Sequence, residues 1–104
     1  MSEVKHDQGK EDLSLIPLSA LKEEAKGFML GEKKYGRDNF KQGMEVSRLI
    51  AAALRHIHQY MEGEYADPES GASHLGHDRC CLAMILECER LGTLVDNRHK
   101  KGSK

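Results

Sequence analysis

Apolar residues recur along the chain at spacings of three and four, and nowhere do they alternate with polar ones in the period of two that a strand requires. Leu21, Ala25, Phe28 and Met29 mark a first helix beginning near Leu18, with Pro17 at its entry and Ser19 placed to cap it. Gly31 and Gly36 are expected to interrupt this helix. The segment GEKKYGRDNFKQG over 31–43 then reads as a shaped loop, because Tyr35 and Phe40 stand among its glycines. A long second helix is predicted from about Lys41 to Glu62, with Val46, Leu49, Ile50, Ala53, Ile57 and Met61 as its apolar stripe and Gly63 as its stop. A third spans about 72–91: Leu75, Leu82, Ile85, Leu86 and Leu91 are its core candidates, Ser70 or Ser73 its cap, and Gly92 its terminator. The expected fold class is all-α, a small bundle of about three main helices.

The domain expected from this pattern covers 13–95, preceded by a polar flexible segment over 1–12 and followed by a basic flexible tail over 96–104. A chain of 104 residues leaves much of its apolar surface poorly covered, so the bundle is expected to be completed by homo-oligomerisation. The formal net charge of -1 supplies no field that would attract nucleic acid or membrane, and neither is expected as a partner. No apolar run approaches the roughly 20 residues that span a bilayer, and the polar start lacks a secretory signal, which together predict a cytoplasmic protein. Cys80, Cys81 and Cys88 offer neither a disulfide framework nor a zinc spacing, and read as small buried hydrophobes.

Chemistry concentrates between Arg55 and Asp78. His56, His74 and His77 stand there with Glu64, Asp67, Glu69 and Asp78, on two predicted helices joined by one acidic loop. His74, His77, Asp78 and Cys81 lie at i, i+3, i+4 and i+7, one stripe of the third helix, and that stripe continues into the apolar Met84 and Ile85. Ionisable groups on an inward face need partners or a metal. On the second helix Glu45, Ala52 and His56 fall within about 40° of one another, with Arg48 and Arg55 along the outer margin, able to fork onto phosphate oxygens or to pair with Glu45 and Glu62. The Glu64, Asp67 and Glu69 loop is equally readable as an exposed acidic turn before a helix. Lys34, Tyr35, Arg37, Asn39 and Phe40 combine cations, aromatic faces and an amide in a plausible nucleotide surface. No P-loop, GxGxxG, GxSxG or HExxH is present.

The order KYGRDNF, then RH ahead of a Gly-Glu pair, then DPESG and HLGHD, resembles a phage-associated family described as dATP/dGTP diphosphohydrolase, similar in style to the MazG-like nucleotide pyrophosphohydrolases. The resemblance spans about 13–92. It implies a helical, oligomeric phage enzyme that uses Mg²⁺ or Mn²⁺ to cleave a purine deoxynucleoside triphosphate to the monophosphate and pyrophosphate. Glu64 and Asp67 are similar to the metal-holding ExxD pair of MazG-like enzymes, whereas no clear EExxE stands on an earlier helix. His56, His74 and the His77-Asp78 pair resemble the ligands of HD-type phosphohydrolases, at a spacing that departs from that family.

The functional expectation is therefore metal-dependent pyrophosphohydrolysis. Glu64, Asp67 and His74 would be catalytic; these three with His56, His77 and Asp78 form the metal-ligand set; Lys34, Tyr35, Arg37, Asn39, Phe40, Arg48 and Arg55 would hold the nucleotide. Two alternatives stand beside it: a protein of the same fold that sequesters a nucleotide without cleaving it, and a helical interaction module whose polar cluster is a buried hydrogen-bond network.

Overall fold

The computed structural model describes residues 9–99. The chain makes three long helices, α1 (Leu18–Tyr35), α2 (Val46–Met61) and α3 (His74–Leu91), with short 3₁₀ turns at Leu13–Leu15 and Asn39–Gln42. Among the described residues the only pairing outside helices is two isolated bridges, Glu45 with Val95 and Ala66 with Ser73. The domain is a small all-α bundle, and α3 is its centre: both α1 and α2 pack against it.

Sequence punctuation explains most of the boundaries, with two differences. Pro17 itself takes the N-cap position of α1, so Ser19 lies inside the first turn and caps nothing. The helix runs through Gly31 and stops only at Gly36, where φ is +96°. The second difference is the start of α2, at Val46 and not near Lys41. Asp38 adopts φ +61°, residues 39–42 wind as a 3₁₀ turn, and Gly43 turns at φ +134° in a place where a Cβ would sit 3.0 Å from the Thr93 carbonyl. No helix propagates across such a bend.

The segment following α3 secures the start of α2. The Val46 N–H donates to the Val95 carbonyl at 3.0 Å, and the Val95 N–H to the Met44 carbonyl at 2.9 Å. Asn97 adds a two-way contact: its Oδ1 accepts from the Ser47 N–H at 3.1 Å, and its Nδ2 donates to Ser47 Oγ at 2.8 Å. First-turn N–H groups that a helix cannot satisfy internally are thus met from a distant part of the chain. Residues 96–98 are accordingly engaged, while 1–8 and 100–104 of the two expected flexible ends lie outside the described residues.

Small residues let α1 approach α3 closely. A Cβ on Gly76 would come 2.6 Å from the Glu23 carbonyl oxygen, and one on Gly27 would come 2.9 Å from Cys80 Cβ. The buried apolar set is correspondingly modest: Val46, Leu49, Ala53, Ala72 and, as the sequence predicts, all of Cys80, Cys81 and Cys88. Several residues of the predicted apolar stripes are instead exposed, among them Ile57, Met61, Leu75, Leu82 and Leu86. The three helices thus expose apolar faces that a larger bundle would cover. Among the described residues no helix is long and apolar enough to cross a membrane.

Candidate active site

Ser73 fixes where α3 begins. Its hydroxyl accepts from the Gly76 N–H at 2.9 Å, its own N–H donates to Glu23 Oε1 at 3.3 Å, and the following His74 N–H donates to the Tyr65 carbonyl at 3.0 Å. His74 is thereby held in the interior with no solvent exposure. Its Nε2 lies 2.7 Å from Glu64 Oε1, and its Nδ1 lies 2.8 Å from Nδ1 of His56, which α2 brings alongside.

For two neutral rings these distances assign the tautomers. A carboxylate only accepts, so His74 Nε2 carries hydrogen and donates to Glu64; the neutral ring then has a bare Nδ1, which accepts from His56 Nδ1–H. His56 is left with a lone pair on Nε2, a nitrogen with no hydrogen-bond partner among the described residues. Burial lowers the His56 pKa, and the neighbouring His77 and His74 rings lower it further, so the neutral, lone-pair form is favoured. A carboxylate and a buried imidazole thus orient a second imidazole as a base.

His77 stacks on His56 at a centroid separation of 4.6 Å with the ring planes 8° apart. Its Nε2 is 2.7 Å from Ser70 Oγ and 3.7 Å from Asp67 Oδ2, and burial lowers its pKa while Asp67 opposes that shift. Asp67 also organises the loop that carries it. Oδ1 accepts from the Glu69 N–H at 3.2 Å, and the Asp67 N–H donates to the Ala72 carbonyl at 2.9 Å. Asp78 lies one turn beyond His74. It is 8% exposed, neither carboxylate oxygen has a hydrogen-bond partner, and burial pushes the carboxyl from its ordinary 3.8 up to about 6.

The residues named from sequence fall into two separate places. His56, Glu64, Asp67, His74 and His77 converge as described, with Asp78 on the same face of α3. Lys34 reaches this group from α1 through a 2.9 Å contact with Glu69, and Arg55 is exposed on α2 next to His56. Tyr35, Arg37, Asn39 and Phe40 line a different cavity, of about 540 Å³, on another side of α1. Arg48 pairs with Glu45 at 3.5 Å. Ser70, Ser73, Glu23 and Gly76 position the site, yet only Ser70 and Ser73 carry a sequence signal, as cap candidates. Nothing local in the sequence couples Glu23 to Ser73, fifty residues away.

Imidazole and carboxylate are suitable donors for a divalent ion. Among the described residues no three such side chains converge as a ready cage. Several donors are nevertheless uncommitted: His56 Nε2, His77 Nδ1 and both oxygens of Asp78. A buried carboxylate without a partner calls for a proton, a donor or a cation, and Asp78 is the residue of this set on which that demand falls.

The fold and the site together define a small helical domain with an imidazole relay ending in a free ring nitrogen, flanked by carboxylates and cations. Comparison with known proteins makes this specific. The chain belongs to the family of dATP/dGTP diphosphohydrolase N-terminal domains, whose family model matches residues 2–98. It is 40% identical over 86 residues to a dATP/dGTP diphosphohydrolase of Salmonella phage PMBT28. That match covers 83% of this chain and 29% of the relative, so the chain spans less than a third of that protein's length. No solved structure matches the chain.

Proposed function

We propose that this domain hydrolyses purine deoxynucleoside triphosphates, dATP and dGTP, to the monophosphate and pyrophosphate, in the cytoplasm of a phage-infected bacterium. The observation that carries the reading is the Glu64–His74–His56 relay, which leaves His56 Nε2 as a neutral base. In the reaction His56 Nε2 takes a proton from water as the water oxygen bonds to the α-phosphorus; the bond from that phosphorus to the α,β-bridging oxygen breaks, and pyrophosphate leaves. His74 and Glu64 hold the accepting ring and stabilise its protonated form, while Arg55 and Lys34 neutralise phosphate charge. His77 and Asp78, with Asp67, would hold Mg²⁺ or Mn²⁺, which would supply Lewis-acid polarisation of phosphate oxygens. The exposed apolar stripe of α2, including Ile57 and Met61, is covered by self-association in this reading.

The test is turnover of each deoxynucleoside triphosphate by purified protein with Mn²⁺ or Mg²⁺. Purine substrates are expected to react and pyrimidine ones to be poor. Absence of any turnover by folded protein overturns the reading, and intact nucleotide bound equally well under chelation would indicate sequestration. Within the reading, Glu64→Gln is a sharp probe. Its amide oxygen can still accept from His74 Nε2–H but carries no charge, so the relay keeps its tautomers and loses the carboxylate that stabilises the protonated pair, and kcat falls with little change in KM.

A further inference from the structure

The cavity of about 540 Å³ is bounded by α1, by the 3₁₀ turn at 39–42 and by α3, and none of the histidines lines it. Its volume lies within the roughly 300–1,000 Å³ of small-molecule sites. Most of the wall is apolar. Phe28 and Phe40 meet with ring centroids 5.7 Å apart, and Met29, Met44 and Met84 add flexible, polarisable thioethers. The polar lining groups are mostly paired: Arg37 is tied to Glu32 at 3.4 Å, Glu24 to Arg79 at 3.1 Å and Asp38 to Lys41 at 3.4 Å, while Asn39 carries an amide. Apolar walls with a few polar groups suit a flat heteroaromatic ring, which offers faces for dispersion and edges for hydrogen bonds.

The position of the cavity relative to the relay is fixed by adjacent residues of α1. Lys34 contacts Glu69 in the acidic loop, and Tyr35, the next residue, lines the cavity. On the α3 side, Cys80 lines the cavity one helical turn after His77. We infer that this cavity is the seat of the purine ring, with the ligand crossing the C-terminal end of α1 so that its phosphates lie on the Lys34 side. The inference rests on the nucleotide reading above and adds to it a physical division: base recognition and phosphate chemistry occupy separate compartments. Three methionines and Phe28 then take part in recognising substrate, although the sequence marks them only as packing residues.

The five methionines of the chain provide the experiment, because Met29, Met44 and Met84 line the cavity whereas Met61 projects from α2 at 75% exposure. Protein carrying ¹³C-labelled methionine methyls is titrated with deoxyadenosine, dAMP and dCMP in EDTA, where no turnover occurs. The purine ligands are expected to shift the Met29, Met44 and Met84 signals saturably and to leave Met61 in place, with dCMP at least tenfold weaker. Met84→Phe, which fills the cavity, is expected to weaken dAMP binding at least tenfold, and Met61→Leu, on the exposed face of α2, is expected to leave it unchanged. Shifts confined to Met61, or none at saturating dAMP, overturn the inference. So do cavity signals that move with protein concentration alone, which would give the cavity to a second copy of the chain. The two readings fail separately: triphosphate turnover without cavity shifts removes only the base seat, and cavity shifts without turnover remove only the hydrolysis.

Discussion

Replacing Asp78 by Asn should make the domain more stable at neutral pH. The carboxyl is buried on α3 with neither oxygen bonded, and burial raises its pKa from 3.8 to about 6, so the folded state binds a proton more tightly than the unfolded state does. Between those two values the folded chain carries the extra proton, and stability therefore falls as pH rises through that window. The shift of about two units at about 1.4 kcal/mol each makes the ionised side chain cost up to about 3 kcal/mol above pH 6. Asparagine keeps the volume and removes the charge, but its amide is left unpaired at a cost of about 1–2 kcal/mol, so the net gain at pH 7.5 is about 1–2 kcal/mol. Urea unfolding of both proteins in EDTA, at pH 4 and at pH 7.5, isolates the effect. All other titrating groups cancel in the difference, which should change by about 2 kcal/mol between the two pH values. A difference that does not vary with pH would refute the account, as would a variant less stable than the parent at pH 7.5. If Asp78 serves a cation, Mn²⁺ should raise the unfolding midpoint of the parent and leave the variant nearly unmoved.

Further outcomes follow from the same geometry. His56→Gln should lower kcat by about 10²–10⁴-fold, and in the parent kcat/KM should fall as pH drops below the ordinary imidazole range, since the base acts only when unprotonated; a flat profile there would exclude His56 as the base. Gly76→Ala should cost about 1–3 kcal/mol in urea unfolding, because its Cβ would press on the Glu23 carbonyl, and an unchanged midpoint would show that α1 does not pack so closely. Asn97→Ala removes two contacts to Ser47 and should lower stability by about 1 kcal/mol, visible as a lower Tm; no change would mean that residues after α3 do not secure α2. Cys80, whose thiol burial pushes up to about 12, should react slowly with iodoacetamide in folded protein, and rapid labelling would contradict its placement.

Periodicity made the three helices and the inward stripe of α3 legible, because His74, Asp78 and Cys81 sit on one face whatever the tertiary context and all three are buried. The stripes of Ile57, Leu82 and Leu86 obey the same rule without being covered, since periodicity shows that a face is apolar and not what lies against it. The start of α2 was harder to place, as it depends on Gly43 turning beneath the Thr93 carbonyl, a contact between distant parts of the chain. The site divides in the same way. Which donors cluster followed from spacing, whereas the relay depends on which nitrogen faces which atom. A helical turn angle does not resolve that. Nor could spacing show that Lys34 and Tyr35, neighbours in sequence, serve different compartments.

The contact between Glu23 and the start of α3 has a mechanical meaning. One residue of α1 touches both sides of His74: its carboxylate accepts from the Ser73 N–H just before it, and its carbonyl is what a Cβ on Gly76 would strike just after it. A tilt of α1 would bear directly on both neighbours of His74. Since the 2.7 and 2.8 Å contacts of that ring orient His56, the seating of α1 and the orientation of a nitrogen in a different helix rest on the same short stretch of chain. A base seated against α1 would press on that stretch.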